Sequence, residues 1–142
     1  MNEELISRFN SVVDKSDVTI HAGDFSLGKK HQTQDIIREL NGSHIFLLGD
    51  HDRWTNRNQL RQIYFYKKQG LNITVCHYCM RVWPKSHYNS WHLYGHSHGR
   101  LDSIGKSMDI GVDTNDYYPY SIEQIKEIME TKPDNFNLIR RG

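Results

Sequence analysis

His44-Ile45-Phe46-Leu47-Leu48-Gly49 runs straight into Asp50-His51-Asp52-Arg53, so an almost unbroken apolar stretch empties into a loop of acids and an imidazole. A strand that is apolar on successive residues has to be covered on both faces, which predicts a layered α/β domain rather than a sheet with one wet side. The same sequence grammar occurs upstream. Val18-Thr19-Ile20-His21 reads as a short strand that stops at Gly23-Asp24-Phe25-Ser26, a loop rich in turn formers. Between these strands, His31 to Leu40 carries Ile36, Ile37 and Leu40 on one helical face, and Asn41-Gly42 closes it. Leu5, Phe9, Val12 and Val13 give residues 2–14 an apolar stripe, predicting an opening amphipathic helix.

Downstream, residues 55–62 read as a short polar helix carrying Leu60. Ile63-Tyr64-Phe65-Tyr66 and Leu71-Asn72-Ile73-Thr74-Val75-Cys76-His77 flank Lys68-Gln69-Gly70, the pattern of a hairpin. Trp91-His92-Leu93-Tyr94 is a further strand that delivers Gly95-His96-Ser97-His98-Gly99, and another is expected over residues 107–112. Ser121 and Gln124 form a capping box, so a last helix starts near residue 122 and ends before Pro133. Helices and strands alternate early and strands dominate later, which predicts an α/β fold with mixed sheets.

At 142 residues, the chain is read as a single domain spanning 1–142. Eighteen Lys plus Arg against seventeen Asp plus Glu leave a formal charge of +1, so a nucleic-acid partner is not indicated. Apolar runs are only a few residues long, far below the roughly 20 that cross a bilayer, so no membrane partner is expected. The polar, acidic start Met1-Asn2-Glu3-Glu4 lacks the character of a secretory signal, and two cysteines suit a reducing compartment; a cytoplasmic location is expected.

The inferred strand exits carry the chemistry: Asp24, Asp50 with His51, His77, and the pair His96 and His98. Taken singly, each has an ordinary explanation, as a helix cap, a satisfied core histidine or a surface pair. Taken together they fit one site, because ligands in open α/β sheets gather at the C-terminal ends of strands. Imidazole with carboxylate and no thiolate suits Mn, Fe, Zn or Ni ions. Cys76-x-x-Cys79 lacks the second pair that a structural zinc needs. Tyr64-Phe65-Tyr66 reads as hairpin packing, and His21, His31, His44, His87 and His92 as structural or exposed.

In their order, Gly23-Asp24, Gly49-Asp50-His51-Asp52, His77 and Gly95-His96-Ser97-His98 resemble the motifs of the calcineurin-like metallophosphoesterases. That pattern is Asp-x-His, Gly-Asp, Gly-Asn-His-Asp or -Glu, a lone His, and Gly-His-x-His. The likeness covers nearly the whole chain, including Asp109-Ile110-Gly111-Val112-Asp113. It implies an αββα sandwich with a binuclear metal centre, manganese above all, that hydrolyses a phosphodiester or phosphomonoester. Carried across, Asp24 would bridge the ions, Asp50, His77 and His96 would complete one site, and His98 would serve the other. A metal-bound hydroxide would attack, His51 would protonate the leaving alkoxide as general acid, and Asp52 would orient the His51 ring. Arg53 would lend positive charge to the phosphoryl oxygens.

Two departures from the pattern matter. Position 50 is Asp where the family usually has Asn, which keeps the ligand oxygen and adds a negative charge. No Asp-x-His occurs in the 142 residues, so the first central strand of the family's sheet is expected to be missing and the second metal site weak. A late start codon, a split gene or a genuine short form would each account for that. The open sheet edge would then favour a second copy of the chain or a strand-donating peptide. The partner implied by the chemistry is a small phosphoester. The rival class is a catalytically impaired binding module, since a retromer scaffold subunit resembles this fold; a nuclease draws no support from the charge.

Overall fold

The computed structural model describes residues 3–135. Its elements are α1 (Glu3–Val12), β1 (Val18–His21), α2 (Lys30–Glu39), β2 (Ser43–Phe46), β3 (Ile63–Lys68), β4 (Leu71–Cys76), β5 (Trp91–Tyr94), β6 (Ser107–Asp109) and α3 (Ile122–Glu130). Two expectations shrink. The helix expected over 55–62 is a single 3-10 turn at Arg57–Gln59, capped by Asn56, because one leucine supplies no face to bury. The strand expected over 107–112 stops at Asp109, whose Oδ1 accepts from the Gly111 N–H at 2.8 Å and turns the chain into a 3-10 turn at Val112–Thr114. At α3 the capping box is present in full: Ser121 Oγ accepts from Gln124 N, and Gln124 Oε1 accepts from Ser121 N.

The fold is mixed α/β with two sheets. β1 and β2 pair in parallel, Ile20 opposite Ile45 and His21 opposite Phe46, while the second sheet runs β3-β4-β5-β6. β3 and β4 are antiparallel, and β4, β5 and β6 run parallel. The β3–β4 turn holds Gln69 at φ 54° and Gly70 at φ 77°, the two positive values that let a two-residue loop follow the twist of the strands. Leu47, Ile73, Val75, Trp91, Leu93 and Met108 form the main core, joined by Ile20 of β1 and by Ile125 and Met129 of α3.

Phe9 and Val13, with Leu40 at the end of α2, form a second cluster on the opposite side of the first sheet. On the far face of the second sheet, by contrast, Trp83 lies over the His92 ring at 5.3 Å, so the segment after β4 covers it there instead of a helix. His92 is fully buried and satisfied, donating from Nδ1 to Thr74 O and accepting at Nε2 from Met80 N. β2 is half-buried rather than enclosed as its apolar run suggested, since among the described residues the first sheet is two strands wide. β1 pairs with β2 alone there, which leaves its other edge open. No helix among the described residues is long and apolar enough to cross a membrane.

On the helix side of the first sheet, His21 Nε2 meets His44 Nδ1 at 3.0 Å, and the His21 ring packs 4.8 Å from Phe46 and 4.7 Å from Phe25. Burial, and secondarily the neighbouring His44, pushes His21 down to about 3; burial lowers His44 as well. Both imidazoles are therefore neutral in the folded protein at pH 7.5, while the unfolded chain takes up protons near the ordinary value of about 6.5. Stability should be complete above pH 6.5 and fall as the pH drops through the window from 6.5 towards 3. For His21 the slope approaches about 1.4 kcal/mol per pH unit. Urea titrations at pH 7.5 and 5 should show this loss, and His21→Phe should flatten it; an unchanged slope in the variant would remove His21 as the cause.

Candidate metal centre

β1, β4 and β5 release their chains at one end of the molecule. Gly95 N donates to His77 O at 3.0 Å, so the exits of β4 and β5 are tied together, and His77 Nδ1 bonds Ala22 O at 2.7 Å, which ties both to the exit of β1. Asp24, His77 and His96 meet there, one donor atom from each lying within 4.8 Å of the others.

His77 is 2% exposed, and its bond to a carbonyl requires the proton on Nδ1. In a neutral ring Nε2 would then present a bare lone pair. It faces Asp24 Oδ2 at 3.2 Å and His96 Nδ1 at 3.3 Å. A bare nitrogen and a carboxylate oxygen repel at that distance unless a proton or a cation lies between them. Donors that share a tetrahedral ion with bonds of about 2.0–2.1 Å stand about 3.3 Å apart, so the observed separations fit one. A carbonyl behind a ligating imidazole is also the usual device that fixes its tautomer.

The backbone around these donors is bent to deliver them. Asp24, His96 and His98 take φ values of 53°, 64° and 51°, a region that non-glycine residues seldom occupy and that tends to cluster at functional sites. Gly23, at φ 95°, has no room for a Cβ, which would stand 2.5 Å from His77 Nδ1 and 2.9 Å from the Gly49 Cα. A Cβ on Gly49 would overlap the Asp24 backbone nitrogen and carboxylate. The two Gly-Asp loops interlock through these glycines.

Of the other residues singled out in the sequence, Asp50 reaches the rim, its Oδ2 standing 3.4 Å from His96 Nδ1. His98 is mostly exposed and pairs with Asp113 at 2.7 Å, so the structure does not gather it with the other three donors. His51 is exposed, and its backbone N–H donates to Asp24 Oδ1 at 2.7 Å. Arg53 is exposed on the same loop.

Asp52 corrects the expectation placed on it. It is wholly buried, and its carboxylate accepts from Asp24 N, Phe25 N, Gly49 N and Trp54 Nε1 at 2.8–3.1 Å. Four donors occupy both oxygens, so Asp52 clamps the two loops together and does not orient the His51 ring. Sequence reasoning also passed over Arg57, whose Nη1 donates to the carbonyls of Asp50 and Asp52 and braces that loop from outside; no motif marks it. Asp109 does the same for the last loop, accepting from Gly99 N and Gly111 N. Cys76 and Cys79 are free thiols, both pushed up by burial, which disfavours the thiolate that zinc or redox chemistry would use.

No protein-family model matches the chain. An uncharacterized protein of Methanocaldococcus jannaschii is 24% identical over 139 residues, covering 92% of this chain and 76% of its own length. The crystal structure of a protein of unknown function from Aquifex aeolicus is similar at a TM-score of 0.64 and 19% identity, over 88% of this chain and 83% of that one. A likeness at that identity shows a shared fold and carries no activity with it.

Proposed function

We propose that the chain is a divalent-metal-dependent phosphoesterase of the calcineurin-like metallophosphoesterase type. The observation that carries this reading is the convergence of Asp24, His77 and His96 from three strand exits, with the His77 Nε2 turned towards the Asp24 carboxylate. Those three residues, with Asp50 at the rim, would hold a transition metal ion. When bound, such an ion supplies Lewis-acid polarisation of a phosphoryl oxygen and acidifies water.

The protein's own groups supply position and protons. Asp24 works in two directions, with Oδ2 towards the site and Oδ1 fixing the His51 backbone. That bond and the Asp52 clamp anchor the loop on which the exposed His51 ring can reach a substrate lying over the donors. As the oxygen of a water molecule bonds to phosphorus and the ester P–O bond breaks, a proton on that ring would pass to the leaving alkoxide oxygen. Arg53 offers positive charge on the same loop.

The test is hydrolysis of bis(p-nitrophenyl) phosphate, p-nitrophenyl phosphate and their alkyl counterparts with Mn²⁺, Zn²⁺ or a chelator. Turnover should require the ion. His51→Ala should lower it on the order of 10²–10⁴-fold for alkyl leaving groups and far less for p-nitrophenolate, which departs without a proton. Metal affinity should be unchanged. Absence of metal-dependent turnover on every ester would overturn the phosphoesterase reading, and equal losses for both kinds of leaving group would remove His51 from the acid role.

A further inference from the structure

Directly after the metal donor His77 stands Tyr78, which that function leaves unused. Its ring lies 4.9 Å from the His77 ring, edge-on, and 4.9 Å from the His96 ring, tilted by 54°. The side chain nevertheless remains 48% exposed. It thus leans on two of the three candidate ligands while keeping half of its surface in water. A large aromatic held against a polar site and left open is where a planar group of a ligand can stack, because every such group has a π-face to offer.

Resting on the phosphoester reading above, we infer that Tyr78 is a stacking platform and that the substrate is a phosphoester carrying an aromatic base, namely a mononucleotide. The phosphate would lie over Asp24, His77 and His96 and the base against the free part of the Tyr78 ring. A single nucleotide suits the chain better than a nucleic acid, since a formal charge of +1 provides no basic track for a polyphosphate backbone.

Paired ligands test this: adenosine 5′-monophosphate and ribose 5-phosphate share the sugar and the phosphate and differ by the base. Calorimetric titration of the Zn²⁺-loaded full chain should show the nucleotide binding about 5- to 100-fold tighter, the range expected of one base–aromatic stack. Tyr78→Phe should keep that ratio. Tyr78→Leu, which retains apolar bulk against His96, should bring it to about one while leaving ribose 5-phosphate and Zn²⁺ affinities unchanged. In the same variant, adenine ring protons should lose the upfield NMR shift that stacking over tyrosine imposes.

Equal affinities in the unaltered protein, or a preference that survives Tyr78→Leu, would overturn the inference and leave the phosphoesterase reading standing. Failure of both ligands to bind the metal-loaded chain would overturn the inference, and the ester-turnover test above decides the phosphoesterase reading by itself.

Discussion

Asp24→Ala is expected to cost the protein more than 100-fold in affinity for Mn²⁺ or Zn²⁺ and to take metal-dependent turnover to the detection floor. Outer partners of metal ligands are typically worth about 10–100-fold, and on the proposed reading Asp24 would contact the ion itself. The same substitution removes the acceptor of the His51 N–H and puts alanine at φ 53°, where a Cβ without a polar tip is strained. Asp24→Asn separates these effects. Asparagine tolerates the left-handed region and keeps an oxygen for His51 but withdraws the charge, so the fold should survive while most of the affinity is lost. Metal titration of both variants beside thermal melts distinguishes the cases, and full affinity in Asp24→Ala would rule Asp24 out as a ligand.

Asp52→Ala should be the most damaging polar substitution for the fold, at about 3–5 kcal/mol. It strips the acceptor from four buried or half-buried N–H groups at once, and each donor left without a partner costs about 1–3 kcal/mol before water repairs some of the loss. Against the roughly 5–15 kcal/mol that holds an ordinary domain together, that is a large share. Asp52→Asn should recover only part of it, because one amide nitrogen would then face N–H donors. Denaturant unfolding measures the difference. A variant that melts normally yet loses turnover would instead restore Asp52 to a role beside His51.

The contrast between Asp50 and Asp52 shows where legibility ended. The strand, its exit and the acids on it could be read from residues 44–53, and the placement of Asp24, His77 and His96 at neighbouring exits followed from parallel strands releasing their chains at one end. Which of two acids two residues apart turns inward depends on backbone N–H groups of a loop 27 or 28 residues earlier, and no local pattern encodes that. The direction of the His98 ring was hidden for a related reason. A Gly-His-x-His spacing brings both rings to one loop, but φ values of 64° and 51° and the Asp113 carboxylate decide where each ring points. The helices were legible because their apolar faces repeat at helical spacing. The apolar run of β2 overstated its burial because residue type reports what a strand could bury, whereas the number of strands beside it decides what it does bury.

The hairpin joining β3 to β4 has a practical use. Its Gln69 is exposed and already carries a side chain at the turn before β4, whereas His77 follows that strand's end. Six residues of extended chain put about 20 Å between them. A surface tether or an optical reporter attached at that tip would therefore hold the protein by the end away from its donor cluster, leaving the cluster open to whatever ligand is flowed past it.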